Sequence, residues 1–68
     1  MDVKKAIKLY KAGMKFGDIR ELCDLTQAQM YVVDYGVTNR QAEWKVVESA
    51  GKVDDAMLST EIESLFSK

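Results

Sequence analysis

The chain has no histidine, no proline and a single cysteine, Cys23. The missing histidine removes the commonest general base and the commonest transition-metal ligand. A lone cysteine forms no internal disulfide, and no second thiol or imidazole joins it as a metal site. It reads as a small buried apolar residue, because no base accompanies it as a nucleophile would require. No apolar run approaches the roughly 18 residues that a membrane-spanning helix needs. Residues 1–15 alternate lysine with apolar residues and contain no continuous apolar segment of the signal-peptide kind. The expected location is therefore the cytoplasm, away from any membrane. Internal repeats, low-complexity segments and flexible linkers are also missing. Glu61 and Glu63 stand two apart, so on a helix they face different sides and do not share a metal. No catalytic group, metal site or cofactor site emerges, and the chain reads as a non-enzyme.

What is present suits one small soluble domain. The 68 residues are 47% hydrophobic and 31% charged, with four glycines. A chain of this length buries only about 60% of its unfolded surface, so its core must be thin. The formal net charge is −1 and the isoelectric point is near 5.3. A domain built to hold phosphate backbones is usually basic. The charge is uneven, however. Residues 1–35 carry Lys4, Lys5, Lys8, Lys11, Lys15 and Arg20 against Asp2, Asp18, Glu21, Asp24 and Asp34. Residues 36–68 carry Arg40, Lys45, Lys52 and Lys68 against Glu43, Glu48, Asp54, Asp55, Glu61 and Glu63. Most of the positive charge sits near the N-terminus.

The hydrophobic spacing predicts five helices. The first spans residues 2–12, with Asp2 as N-cap. Val3, Ala6, Ile7 and Tyr10 form its inner stripe and the lysines its outer face. Gly13 ends it in a left-handed conformation. Met14 and Phe16 are expected to plug the gap to a second helix over 17–23, with Ile19, Leu22 and Cys23 facing inward. Asp24 ends that helix, as Asp tolerates the left-handed region better than most residues, and Leu25 turns into the core. Thr26 and Gln29 have capping-box spacing for a third helix that runs to about Tyr35 and stops at Gly36. Thr38 and Gln41 repeat that spacing before a fourth helix over 39–50. Ala42, Val46 and Ala50 make its inner stripe, Trp44 is read as core or as a wall for the last helix, and Gly51 closes it. Asp54 and Asp55 start a fifth helix carrying Leu58, Ile62, Leu65 and Phe66. The reading is all-α, with a core over 1–36 and a helical extension over 37–68, joined in one compact domain. The extension either covers the core or pairs with a second copy as a homodimer through Leu58, Ile62, Leu65 and Phe66. The only β-rich patch, residues 30–33, lacks a hairpin turn and a partner strand.

Residues 6–33, AIKLYKAGMKFGDIRELCDLTQAQMYVV, resemble the homeodomain-like helix-turn-helix of small phage, resolvase and transposase DNA-binding proteins. Gly13, Phe16, Ile19, Leu22, Leu25, Thr26, Met30, Tyr31 and Val33 occupy the places of that pattern. Two positions depart from it: Arg20 stands where the family has a small residue, and Asp24 where it has glycine in the turn. The resemblance implies a three-helix core, with one or two further C-terminal helices here, in which the third helix reads double-stranded DNA. Gln27, Ala28, Gln29 and Val32 would then be the exposed base-contacting residues. Gln can meet an adenine edge, and Ala or Val a thymine methyl. That helix carries no Lys or Arg, so phosphate contacts would come from Lys4, Lys5, Lys8, Lys11 and Lys15, with Arg40 in addition. With so few charges, a DNA-binding role favours a dimer or a larger assembly.

Two functions follow from different classes. One is a small phage-like regulator that binds DNA. The other is a protein-interaction module on the same scaffold, such as a phage-encoded inhibitor or adaptor of a host machine (RNA polymerase or a nuclease). The motif spacing favours the first. The acidic isoelectric point and the lysine-free third helix favour the second. Tyr35 is a candidate contact for a protein partner, with packing against the fourth helix as its alternative.

Overall fold

The computed structural model describes residues 1–67, and all regular structure among them is helical. The helices are α1 (Val3–Lys11), α2 (Phe16–Leu22), α3 (Gln27–Thr38), α4 (Glu43–Ala50) and α5 (Ser59–Ser64). The radius of gyration is 10.6 Å, close to the roughly 11 Å expected of a compact chain this long. No helix among the described residues is long and apolar enough to cross a membrane.

The N-terminal half follows the spacing closely. The Asp2 carboxylate accepts the Lys5 amide at 3.1 Å and starts α1, which buries Val3, Ala6 and Ile7. Gly13 then takes φ +94°. The amide of Met14 reaches back to the Leu9 carbonyl, and that of Gly13 to Tyr10, which is a Schellman closure. The short α2 ends in the same way, with Asp24 at φ +55° and Leu25 donating to the Arg20 carbonyl. Leu25 and Cys23 are buried as expected, and the Cys23 thiol is free. Arg20 is exposed and lays its Nε on the Leu25 carbonyl at 3.3 Å. Its stem therefore runs outward along the turn. At the start of α3, Thr26 Oγ1 accepts the Gln29 amide at 3.1 Å and Gln29 Oε1 accepts the Thr26 amide at 2.9 Å. Both halves of the expected capping box are formed.

Helix α3 is the axis of the molecule. It packs against each of the other four helices. It does not stop at Gly36 but continues to Thr38, so the boundary expected at Gly36–Val37 falls inside a helix. Gly36 is there for a different reason. A Cβ on it would lie 2.5 Å from Val46 Cγ2, so the missing side chain lets α3 and α4 approach closely. The helix ends instead at Arg40, φ +57°, with the Gln41 amide bonded to the Gly36 carbonyl at 2.8 Å. That is a third Schellman closure, and it uses up the residues read as a second capping box. Thr38 belongs to α3, and α4 begins only at Glu43. Ala42 is an exposed N-cap of α4, outside its inner stripe; Val46, Ser49 and Ala50 face inward.

The last helix also starts later than expected. Asp54 makes a local turn by accepting the Ala56 amide at 2.9 Å. Asp55 crosses to α3 and accepts the Ala28 amide at 2.8 Å. The helix α5 begins at Ser59, with Glu61 accepting the Leu58 amide at 2.8 Å. Ile62 and Phe66 are buried, Leu65 is half-buried, and Leu58 is left 67% exposed. Lys45 Nζ donates to the Phe66 carbonyl at 2.8 Å and ties this end of the chain to α4.

Candidate functional site

The residues expected to read bases do not share an exposed face. Gln27 is exposed, but Ala28 is buried and Val32 is 0% exposed. The expectation for Ala28 and Val32 is thereby corrected. From Ala28 to Val37 no residue of α3 is classed as exposed, because neighbouring helices flank it. Gln29 is half-buried, and its side-chain oxygen is held by the capping box. Three amides of the first turn of α3 are also committed. Ala28 N–H goes to Asp55, Gln29 N–H to Thr26 Oγ1 and Met30 N–H to the Thr26 carbonyl. A phosphate docking on that terminus would have to displace the Asp55 carboxylate.

The basic residues stand where the helical spacing put them. Lys4, Lys5, Lys8, Lys11 and Lys15 are all exposed, and so is Arg40 at the end of α3. The one ion pair resolved among the described residues, Lys52 with Glu48 at 3.2 Å, involves none of them.

The residues proposed for a protein interface separate into two kinds. Ile62 and Phe66 are buried within their own chain, which corrects their assignment to a dimer contact. They pack into the core cluster of their own chain. Tyr35 is half-buried, its ring centroid 6.3 Å from Tyr31 and 5.2 Å from Phe66. It packs on Phe66, just beyond α5, and borders the apolar cluster. Leu58 alone of the group is well exposed.

Two buttressing bonds flank this aromatic row. The Tyr10 hydroxyl donates to Asp34, and the Tyr31 hydroxyl donates to Glu63. Each carboxylate favours the protonated phenol, so both tyrosines are raised above their ordinary pKa, first by the hydrogen bond, then by burial and last by proximity of charge, with Thr38 opposing the rise at Tyr10. The second bond helps hold α5 against α3.

Several apolar residues expected inside lie outside. Leu22 is 56% exposed and Trp44 66%, while Met14 and Phe16 are each more than a third exposed. The cause is the position of α2. It has seven residues and packs chiefly against α1 and α3, with Ile19 its one buried residue. At 100° per residue, Leu22 falls on the flank with Asp18, beyond the reach of either neighbour. Met14, Asp18, Glu21 and Leu22 line a shallow groove of about 410 Å³ there. On the other flank, Gly17, Arg20, Glu21, Asp24 and Leu25 line a second groove of about 370 Å³. A smaller pocket of about 190 Å³, bounded by Ala28, Tyr31, Asp55, Met57 and Ile62 among others, lies between the start of α3 and α5. Sequence spacing missed the Met14–Leu22 groove because Leu22 fits an inward stripe equally well. The signal available was the shortness of the helix between Gly13 and Asp24. Among the described residues, no group of three acidic or thiol side chains converges as a metal site.

No known family, curated protein or solved structure matches the chain.

Proposed function

We propose that the protein is a small protein-binding module, of the adaptor or inhibitor kind, that acts through apolar side chains left outside its core. The observation that carries this is the contrast between α3 and α2. The helix laid out like a DNA reader has no exposed residue between Ala28 and Val37. Meanwhile Leu22 and Trp44, large apolar side chains, stand in solvent on other helices. Leu22 stands with exposed Met14 at a groove, and exposed hydrophobes gathered beside a groove mark interaction surfaces more often than scattered ones such as Trp44 do. The order and capping of α1, α2 and α3 are compatible with a helix-turn-helix scaffold, used in this proposal as a platform.

The test is selection from a randomised peptide library against the folded protein, with a Leu22→Ser/Trp44→Ser double variant as the comparison. The module reading expects selected peptides that bind the native surface and lose binding to the variant. Peptides that bind both proteins equally would sink it.

A second reading rests on the lysines of α1. Five exposed lysines within residues 4–15 form a basic strip suited to phosphate oxygens. It predicts duplex DNA binding without base preference, falling steeply with salt and reduced by Lys4→Ala, Lys8→Ala and Lys11→Ala together. Anisotropy with a labelled duplex at low salt decides this, and no binding there removes the reading.

A further inference from the structure

We infer that the groove beside α2 takes a basic amphipathic helix, an apolar residue entering between Met14 and Leu22 while lysine or arginine engages Asp18 and Glu21. The inference rests on the protein-binding reading and specifies its partner. Four residues line the groove: two apolar, two acidic and none basic. Met14, Asp18 and Leu22 follow one another at four-residue steps. Asp18 and Leu22 therefore stack on one flank of α2, about 6 Å apart along its axis. Glu21 borders both this groove and the one on the far flank. No ion pair or hydrogen bond described for the chain engages the side chain of Asp18 or of Glu21 as an acceptor, so both carboxylates are available. The nearest guanidinium, on Arg20, has its Nε directed to the Leu25 carbonyl.

The chemistry of the occupant follows. An isolated apolar partner would meet two carboxylates at the rim and desolvate them without return. An acidic or nucleic-acid partner would be repelled. A helix with leucine or methionine at four-residue spacing and cations beside them satisfies both parts, in the helix-in-groove manner. The thioether of Met14 can adapt to different side chains. A second copy of this chain is a poor occupant. Four of its lysines, Lys4, Lys5, Lys8 and Lys11, lie on α1, whose apolar residues Val3, Ala6 and Ile7 are buried in its own core, and Lys45 on α4 is directed to the Phe66 carbonyl.

The probe is a synthetic helical peptide of roughly 15 residues, long enough to be helical when bound, with leucines on one stripe and lysines flanking them. A counterpart replaces each lysine with glutamate. Amide chemical-shift mapping on the full chain is expected to place the lysine peptide at residues 14–22. Leu22→Ser should weaken it about tenfold, since burying a leucine side chain is lost. Asp18→Asn with Glu21→Gln should weaken it about fivefold at low salt and flatten the salt dependence. These variants lie on exposed positions, and circular dichroism checks that each stays folded. Equal binding of the glutamate peptide, shifts centred on Trp44 or Leu58, or no binding of the lysine peptide would overturn the proposal. Library peptides that bind the wild-type surface and lose binding through Trp44→Ser alone would then leave the broader protein-binding reading standing. Failure of both experiments would remove both.

Discussion

Replacing Arg40 with glycine should make this protein more stable. Helices α1, α2 and α3 all close with the same backbone pattern, in which one residue turns left-handed and the next amide reaches back five positions. The left-handed residues are Gly13, Asp24 and Arg40, at φ +94°, +55° and +57°. The returning bonds run from Met14 to Leu9 at 3.1 Å, Leu25 to Arg20 at 3.0 Å and Gln41 to Gly36 at 2.8 Å. Only the first closure uses the residue that adopts this conformation without steric cost. For other L-residues the left-handed region costs roughly 1–2 kcal/mol, less for Asp and Asn. Arg40 bears that cost in full, and its exposed side chain makes no hydrogen bond or ion pair among the described residues to offset it. Glycine removes the strain but adds freedom to the unfolded chain, worth about 0.4–1 kcal/mol in the opposite direction. The balance favours Arg40→Gly by about 0.5–1 kcal/mol. In a domain of this size that corresponds to about 2–8 °C in Tm. Calorimetry or thermal circular dichroism measures it, with urea unfolding as the check. Arg40→Ala is the control, because it removes the same charge and keeps the strained backbone. An equal rise in both variants would assign the gain to charge and refute the backbone argument. No rise in Arg40→Gly would refute it outright.

Two other predictions concern stability. Gly36→Ala should destabilise by about 1–2 kcal/mol, because overpacking costs more than the helix propensity gained. The new methyl would meet Val46 Cγ2 at 2.5 Å, and Val46→Ala in the same chain should recover part of the loss in urea titrations; a stabilised single variant would show that α3 and α4 separate freely. At alkaline pH, Tyr10 and Tyr31 hold their protons longer in the folded state than in the unfolded chain. Their contribution is therefore complete below the ordinary tyrosine value of about 10 and disappears as pH rises through the raised folded values. A Tyr10→Phe/Tyr31→Phe variant should lose stability less steeply above that pH than the native chain, as read from urea midpoints across the alkaline range. Parallel slopes would contradict it.

The all-helical class and the whole of α1 were legible because period, cap and stop agree there. The Thr26–Gln29 box and the left-handed Asp24 were legible for the same reason: a local pattern has a local outcome. The misreadings arose where identical local signals have two uses. Gly36 resembles a helix stop but serves a close approach to Val46. Thr38 and Gln41 have capping-box spacing, yet Arg40 between them turns left-handed and closes the preceding helix. Asp54 and Asp55 look like a helix start, but one makes a turn and the other caps a distant helix. At the candidate site the difficulty was tertiary. Ala28 and Val32 are buried because α3 is flanked on every side, and Leu22 is exposed because α2 has too few neighbours. Periodicity identifies an apolar stripe but does not say how many helices come to cover it.

The Asp55 bond carries a further consequence for how the molecule is made. The Ala28 amide at the head of α3 gets its side-chain partner from 27 residues further along the chain. A nascent polypeptide that has exposed only α1, α2 and α3 therefore holds both residues of the Thr26–Gln29 box but not the partner for this last tether. The central helix reaches its finished hydrogen bonding only after the segment through Asp55 has left the ribosome. The segment between α4 and α5 thus completes the hydrogen bonding of the N-terminal half.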